Sequence, residues 1–450
     1  MRYKTCFIIC RGNEKPVFLY TPGRRTAGGP AAAFQDEKKV ENRMMKKTVR
    51  LFSGIAAVIC ISVLGLVAYM QRTLPDHFYV VKGQQLTLNS KLQVRAVPTI
   101  GSNQLLETAA EKTYSYTVDL TLPLGVKVKS AQVQYVDRKT VIACGQPFGI
   151  KMFTKGVMVV GLSDIPTADG TKNPASEAGV RVGDIILKVN GQTVSGNNDV
   201  AKLISENGDK TNTLVIKRKD TQYTVEFKSV ISSSDGQYKA GIWVRDSSAG
   251  IGTMTFIDPT TSGFAGLGHP ICDVDTGEIL PLSSGEIVDV SITGVNKGVS
   301  GSPGELQGVF KNSYPIGYLN SNTETGIYGK LSSVPDQDTL YDVAMRQEVQ
   351  EGKAQILTTL DDNTVSTFTI EIEHINFNDD APTKNMVIHV TDGKLLEKTG
   401  GIVQGMSGSP IVQNGKIVGA VTHVFVNDPT RGYGIFSENM MNTLTTCTTE

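Results

Sequence analysis

The sequence has little of what several classes of protein require. It has one tryptophan and six cysteines in 450 residues. Cys6 and Cys10 are spaced like a metal-binding pair, but they lack partner ligands and are interpreted as an accidental pair. A disulfide scaffold is therefore disfavoured, and we expect neither a metal site nor a cofactor. Basic and acidic side chains number 44 each, but residues 51–450 alone carry a net charge of −8. A globular part with that charge lacks a phosphate-binding footprint, so nucleic-acid binding is not expected.

Glycine, proline and apolar residues are plentiful. The chain has 46 glycines and 18 prolines, and 40% of its residues are apolar, which is enough for several cores. Helical periodicity is not sustained over long stretches, while short alternating runs recur at about 8–12-residue spacing. The sequence therefore predicts a mainly β protein of about three domains.

One long apolar run lies near the N-terminus. Residues 51–70 hold no charged side chain, and residues 1–50 hold 12 basic and 4 acidic ones. As a helix, 20 residues span one hydrocarbon core. The basic flank predicts a cytoplasmic tail over residues 1–50, a transmembrane helix over 51–70 and an exported remainder. A cleaved signal peptide is the alternative, disfavoured by the length of the run and by the lack of a small-residue cleavage site.

Residues 71–230 divide into two parts. Residues 71–140 contain short alternating runs and predict a β-rich linker or small β-domain. Residues 174–191, followed by a helix near 199–206 and two further strands, resemble a PDZ domain, which we place at residues 141–230. The resemblance implies a carboxylate-binding loop around residues 145–150 and a peptide groove beside the helix. The expected groove residues are Phe148, Gly149, Ile150, Val200 and Leu203, with Ile204 as the alternative to Leu203.

Two loops in residues 231–445 share the pattern Gly-x-Ser-Gly-Ser-Pro, at 298–303 and at 405–410. Small residues let a substrate carbonyl approach the backbone, where amides of Gly405, Met406 and Ser407 can form an oxyanion hole. The pattern resembles the nucleophile loop of chymotrypsin-like proteases. In that double β-barrel the histidine lies on the first barrel and the serine on the second.

Spacing from a histidine separates the two loops. His269 lies in a glycine-rich turn, 31 residues before Ser300 and 138 residues before Ser407. A barrel of six short strands takes roughly 60 residues at this strand spacing, so only Ser407 leaves room for a second barrel. We therefore predict Ser407 as nucleophile and His269 as base, with residues 298–303 as a structural turn. His423 is kept as the reserve base.

The orienting acid is less constrained by spacing. Asp392 follows an expected strand directly, which would let its carboxylate be buried beside an imidazole. That position gives it only a small lead over the other aspartates between the histidine and the serine. Those considered as candidates are Asp273, Asp275, Asp289, Asp361 and Asp362.

The combination of PDZ domain, protease and membrane anchor resembles the stage IV sporulation protein B peptidases, which are serine peptidases of endospore-forming bacteria. The most specific stretches are residues 246–256, 400–410 and 421–429. The resemblance implies a triad of His269, Asp392 and Ser407 in a chymotrypsin-like domain over residues 231–445.

The same resemblance implies a role. Members of this family cross into the space between the forespore membranes, cleave themselves, and cut a membrane-bound regulatory subunit of a sigma-factor processing complex. That cut leads to activation of the late mother-cell sigma factor. The alternative is a PDZ-regulated protease of envelope quality control. In such proteases the PDZ domain follows the protease, whereas here it precedes it.

Overall fold

The computed structural model describes residues 30–88, 94–98, 104–108, 111–311, 314–336, 339–361 and 364–449. The chain divides into two units, of which the second begins at Ala68. Most of the tail predicted for residues 1–50 lies outside the described residues, as does Asp362.

The described part of the first unit lies in helix α1 (Pro30–Thr73), whose last residues belong to the second unit. Within the described residues, Met45–Thr73 is the one stretch of helix long and apolar enough to cross a membrane. Most of its apolar side chains are uncovered, with Phe52 70% and Leu64 68% exposed. An exposed apolar helix of this length suits a lipid environment, and it contains the predicted residues 51–70.

A small sheet follows the helix, as the alternating runs predict. Strand β1 pairs in parallel with β5, and β4 lies between β5 and β2. Phe78, Leu120 and Val133 are buried on one face of this sheet. The strands are β1 (His77–Val81), β2 (Arg95–Pro98), β3 (Gln104–Thr108), β4 (Glu111–Thr121) and β5 (Lys127–Val136).

An inserted domain then interrupts the first barrel. Its strand β12 alternates strictly, so that Leu214 and Ile216 point into the core beside helix α3. The elements of residues 140–239, of which β6 and the first half of β7 lie outside the inserted domain, are β6 (Thr140–Ala143), β7 (Pro147–Leu162), β8 (Ile165–Thr167), β9 (Gly170–Lys172), α2 (Pro174–Glu177), β10 (Ile185–Val189), β11 (Gln192–Thr193), α3 (Asn197–Asn207), β12 (Thr211–Arg218), β13 (Thr221–Lys228), β14 (Val230–Ile231) and β15 (Tyr238–Lys239).

The first barrel closes with six strands in the order β7-β16-β17-β21-β20-β18 and back to β7. Gly156 lies where β7 leaves this barrel. Its φ is +86°, and a Cβ there would lie 2.7 Å from the Ile186 carbonyl oxygen. The remaining strands are β16 (Ile242–Asp258), β17 (Gly263–Gly266), β18 (Leu282–Asn296), β19 (Glu305–Phe310), β20 (Gly317–Thr323) and β21 (Gly326–Leu331).

The second barrel also closes with six strands, in the order β27-β26-β23-β24-β25-β28 and back to β27. The two closed barrels confirm the predicted double-barrel class. The elements are β22 (Tyr341–Val343), β23 (Gly352–Thr359), β24 (Val365–Ile375), β25 (Met386–Val390), α4 (Gly393–Thr399), β26 (Pro410–Gln413), β27 (Lys416–Phe425), β28 (Asp428–Phe436) and α5 (Ser437–Thr449).

The inserted domain begins later than the predicted residue 141. Residues 147–153 of β7 pair with β16 on one edge and with β18 on the other, so they belong to the first barrel. Only from Val157 does β7 pair with β10 of the inserted domain. Strands β7 and β16 therefore run through both domains, which a division of the sequence into consecutive domains does not anticipate.

Candidate active site

The loop at residues 405–410 lies between α4 and β26, and its shape depends on a glycine. Gly408 has a φ of +96°, and a Cβ there would lie 2.0 Å from the Thr253 carbonyl oxygen. The Gly408 amide donates to the Val421 carbonyl at 2.8 Å. Any side chain at this position would push the loop away from the first barrel.

Two buried threonines of β16 hold this loop from the first barrel. The Thr253 hydroxyl donates to the Gly405 carbonyl at 2.7 Å, and the Thr253 amide donates to the Ser407 carbonyl at 3.0 Å. The Thr255 hydroxyl donates to the Gly408 carbonyl at 2.8 Å. No pattern in the sequence indicates this role, because a threonine in a strand is ordinary.

His269 follows β17 in a turn where Leu267 and Gly268 both have positive φ. Its Nδ1 lies 2.8 Å from the Pro270 carbonyl oxygen. A carbonyl only accepts, so Nδ1 carries the proton and Nε2 is left as the basic nitrogen. Burial lowers the pKa of His269 below its usual 6.5, and the Pro270 carbonyl opposes that shift.

His269 and Ser407 line one cavity of about 450 Å³ between the barrels. Its other walls are mostly apolar side chains and backbone, and none of its lining residues in the described part of the chain is an Asp or Glu. The other lining residues are Ile150, Ser248, Ala249, Gly250, Ile251, Leu267, Pro270, Ile271, Cys272, Pro303, Ile402, Val403, Gln404, Gly405, Thr422, His423, Val424 and Val426.

The Ser407 hydroxyl donates to the Thr422 carbonyl at 2.7 Å. This bond directs its proton to the backbone of β27 rather than to the imidazole. Rotation about one side-chain bond redirects a serine hydroxyl, and catalytic hydrogen bonds often form fully only with substrate present.

The predicted oxyanion amides differ in their contacts. The Met406 amide donates to the Val403 carbonyl at 3.1 Å, so it is already used within the loop. For Gly405 and Ser407, the described backbone contacts of this loop include no carbonyl that accepts from the amide. Of the three predicted amides, these two are left to meet an oxyanion.

His423, the predicted reserve base, lies in the same cavity. Its ring centroid is 5.0 Å from that of His269, with 37° between the ring planes. Desolvation, then the charges of His269 and Lys384, lower the pKa of His423 to about 4. It is therefore neutral at physiological pH.

The structure does not bring Asp392 to the imidazole. Its carboxylate caps the N-terminus of α4, where Oδ1 accepts from the amides of Lys394 at 3.0 Å and Leu395 at 3.1 Å. The Thr369 amide donates to Oδ2 at 3.3 Å. Asp392 lines a separate surface pocket, and its role as triad acid stays a prediction drawn from the resemblance.

The other described aspartates are also elsewhere. Asp273 and Asp275 pair with Arg245, and Asp361 pairs with Lys398. None of the described candidates lines the cavity. The local contact to the imidazole is the Pro270 carbonyl, which spacing along the sequence does not reveal.

Replacing Asp392 with Asn separates its two possible roles. Asn caps a helix about as well as Asp, so we expect the free energy of unfolding to change by no more than about 0.5 kcal/mol. Because Asp392 contacts backbone amides and not His269, we expect turnover to stay within about tenfold of wild type, or about 1.4 kcal/mol. A loss approaching ~10⁴-fold in the folded variant would instead support the triad role. Chemical denaturation and turnover of one preparation decide between them.

The first copy of the serine loop, residues 298–303, is a tight turn. The Ser300 hydroxyl donates to the Asn427 carbonyl at 2.8 Å, and the Gly301 amide donates to the Val426 carbonyl at 2.8 Å. Pro303 reaches the cavity wall, but Ser300 does not line it. The contacts agree with the predicted structural turn.

The residues predicted to form one peptide groove lie in two different domains of the structure. Phe148, Gly149 and Ile150 lie in the first barrel, where β16 and β18 occupy both edges of β7, so no peptide strand can pair there. Val200 lines a cavity in the inserted domain, whereas Leu203 packs against that domain's core without lining the cavity. The carboxylate-loop interpretation of residues 145–150 is therefore corrected.

The cavity at Val200 measures about 360 Å³ and lies between α3 and the start of β16. Ala201 and Ile204 line it from the helix, and Ile242 and Val244 line it from the strand. Strand β16 then continues to Ser248 and Ile251, which line the cavity of Ser407. The helix side of this groove was predicted at Val200, but its strand side was missed because that strand lies about 40 residues after the helix.

Comparisons with known families agree with an inserted domain beside a double-barrel domain. Residues 236–441 match the family model described as SpoIVB peptidase S55, and residues 171–218 match that of the PDZ domain. No curated protein matches the chain. The chain therefore carries a PDZ domain and a serine peptidase domain, as the sequence predicts.

Several solved structures are similar over part of the chain. One is the PDZ domain of the SdrC-like protein from Listeria monocytogenes, with 21% identity, 20% of this chain and 87% of that chain covered, and a TM-score of 0.16. The HtrA-type protease AlgW with decapeptide gives 9% identity, 45% of this chain, 54% of that chain and a TM-score of 0.28. The Rv3671c protease in its inactive form gives 12% identity and a TM-score of 0.25, with 44% of this chain and 84% of that chain covered. The match thus spans about half the length of AlgW.

Proposed function

We propose that this serine peptidase is a membrane-anchored signalling endopeptidase in which Ser407 is the nucleophile and His269 is the general base. The observation that carries the proposal is the shared cavity of these two residues, reached from the two barrels. The bond of His269 Nδ1 to the Pro270 carbonyl supports it further, since it leaves Nε2 basic.

The chemistry assigns each group one task. His269 Nε2 takes the proton of Ser407 as Oγ bonds to the scissile carbonyl carbon. The C–N bond then breaks, and His269 passes the proton to the leaving amine nitrogen. Water attacks the acyl group in the same way, giving its proton to His269, and Ser407 recovers a proton as its bond to carbon breaks.

Charge on the carbonyl oxygen needs donors that are fixed before reaction. The Gly405 and Ser407 amides are suited to this, because Thr253 and Thr255 hold the carbonyls of Gly405 and Gly408. Preset donors avoid reorganisation when the oxyanion forms, and one such donor is typically worth about 10²–10³ in turnover.

The cellular role follows the family resemblance. We place the catalytic part outside the forespore inner membrane, where it cuts itself and then a membrane-bound regulatory subunit of a sigma-factor processing complex. The membrane-length helix and the order of the PDZ and peptidase segments support this over envelope quality control.

Self-processing is the test of that role. Residues 82–85 follow β1 and are exposed, and exposed connections are the usual sites of proteolytic cuts. We expect shortened forms that begin between residues 72 and 140, most of them near residues 82–88, and that retain Ser407. N-terminal sequencing and mass spectrometry of the accumulated protein identify the first residue.

The control is the full chain with Ser407→Ala, which should show none of these forms. Identical fragments in both proteins would assign the cut to another protease. Mixing the Ser407→Ala chain with active protein tests cutting between molecules, since only then would the inactive chain be shortened.

The cavity beside α3 is proposed as the peptide site of the PDZ domain. Ala201 is exposed and lines this cavity, so Ala201→Glu places a charge in it without filling the core. We expect capture of C-terminal peptides to fall at least tenfold, about 1.4 kcal/mol, because an unpaired carboxylate is desolvated there. Fluorescence anisotropy with a C-terminal peptide library measures it.

Lys202→Glu is the matched control for this substitution. Lys202 is the next residue of α3, is exposed, and does not line the cavity. Equal losses in both variants would show that the helix charge acts non-specifically. Unchanged binding in Ala201→Glu would place the peptide site elsewhere.

A further inference from the structure

The described cavity of Ser407 holds a second histidine and no carboxylate. The one described polar contact of the His269 ring is the Pro270 carbonyl, at Nδ1. When His269 takes the serine proton it becomes an imidazolium, and a nearby group must stabilise that charge and hold the ring. The ring nearest to it is that of His423, with centroids 5.0 Å apart.

A β-bulge aims His423 at this position. Strand β27 pairs Val421 with Gly434 and then Val424 with Gly432, so β27 carries one residue more than β28 between these pairs. Bulges re-aim side chains and occur beside active sites. Of the two residues of β27 between these pairs, Thr422 is buried and His423 is exposed, and both line the cavity.

The backbone at the bulge is held on several sides. The Thr422 carbonyl accepts from Ser407, and the Thr422 hydroxyl donates to the Thr383 carbonyl at 2.8 Å. A Cβ at Gly432 would lie 2.4 Å from the His423 carbonyl oxygen, so the facing strand is pressed against it. His423 is therefore held in the cavity by the backbone of its strand, and the described residues give its ring no hydrogen bond.

We propose that His423 is a positioning residue for His269, whose neutral ring packs against the imidazole and stabilises the imidazolium formed when Ser407 reacts. This rests on the proposed roles of Ser407 and His269. Aromatic rings pack favourably at centroid distances of about 4.5–7 Å, and a ring face attracts a cation within about 6 Å.

The charged groups that face His423 are His269 across the cavity and Lys384, and both oppose a positive charge on its ring. The described lining residues of the cavity add no carboxylate to offset them. At neutral pH the ring of His423 is therefore uncharged and does not repel the imidazolium. Because it then acts through its ring and not through a proton, a phenyl ring can replace it.

The experiment uses the full chain and a fluorophosphonate probe, which reports nucleophile activation without a known substrate. Serine Oγ bonds to phosphorus, fluoride leaves, and the serine proton goes to His269. The rate of labelling is measured against pH in wild type, His423→Ala and His423→Phe. Exposed His374 supplies the control, His374→Ala, because it lies outside the cavity.

We expect His423→Ala to slow labelling about tenfold, and His423→Phe to stay within about threefold of wild type, as a stacking and cation–π contribution implies. The acid midpoint of the profile should move to lower pH in His423→Ala, because the imidazolium loses its neighbour. His374→Ala should label at the wild-type rate.

Three results would overturn the proposal. Wild-type labelling by His423→Ala would remove any role for the ring. Equal loss in the Phe and Ala variants would mean that a ring nitrogen is needed. An unmoved midpoint in His423→Ala would leave only a structural effect. Failure of the underlying function is separate: it would appear as labelling that persists in Ser407→Ala or His269→Ala.

Discussion

Ser407→Ala is expected to abolish peptide-bond cleavage while the protein stays folded. Removing the nucleophile of a well-studied serine protease lowers turnover roughly 10⁶-fold, and the remaining activity comes from the oxyanion site and from substrate binding. Ser407 makes one side-chain hydrogen bond, to the Thr422 carbonyl, so its loss costs only about 1 kcal/mol of stability. Cleavage of a protein substrate and thermal unfolding measure the two effects.

Two other serines are matched controls. Ser300→Ala removes the corresponding serine of the first loop, whose hydroxyl bonds to the Asn427 carbonyl outside the cavity. Ser409→Ala changes the neighbouring serine of the same loop, whose buried hydroxyl has no partner among the described residues. Both variants should remain active. Loss of cleavage in Ser300→Ala alone would move the nucleophile to the first loop.

His269→Ala is expected to lower turnover nearly as far as Ser407→Ala, because nucleophile and base act as a unit. The double variant, with both Ser407→Ala and His269→Ala, should have a turnover no lower than that of either single variant, since each single change already removes the same transition-state stabilisation. Retention of substantial activity in His269→Ala, with its loss in both His423→Ala and His423→Phe, would assign the base to His423. Kinetics of the three variants on one substrate distinguish these cases.

The pH dependence of the wild type follows from the burial of His269. Only neutral His269 accepts the serine proton, and burial lowers its pKa below 6.5. Activity should therefore persist at pH 6.5 and fall only at lower pH. Between the folded pKa and 6.5 the unfolded chain binds more protons, so stability also falls as pH decreases through that window. His269→Ala should flatten this part of the stability profile.

The positions of Ser407 and His269 could be predicted because chain length limits a barrel. A separation of 31 residues from His269 to Ser300 cannot hold the six strands of a second barrel, whereas 138 residues can. The need for the second glycine in Gly-x-Ser-Gly could also be predicted from the local sequence, since the loop conformation at Gly408 leaves no space for a Cβ. These are local or additive properties of the chain.

The acid and the peptide groove could not be predicted in this way. Asp392 follows a strand, which is equally the position of a helix cap, and the sequence does not say which neighbour its carboxylate meets. Phe148 and Ile150 have a composition suited to a peptide-binding edge. Only the tertiary structure shows that both edges of β7 are already paired, with β16 and β18, so that no peptide strand can add there.

By itself the sequence determined the membrane-length helix and the mainly β class, and it singled out the two residues that we propose as the reactive pair. Each of these depends on composition, periodicity or distance along the chain, which are present before folding. The tertiary structure decided which strands are shared between domains and which groups surround His269. Strand β16 brings Thr253 to the nucleophile loop, and the bulge in β27 brings His423 to the imidazole. These contacts join residues far apart in sequence, and they depend on barrel closure and register, which no local pattern encodes.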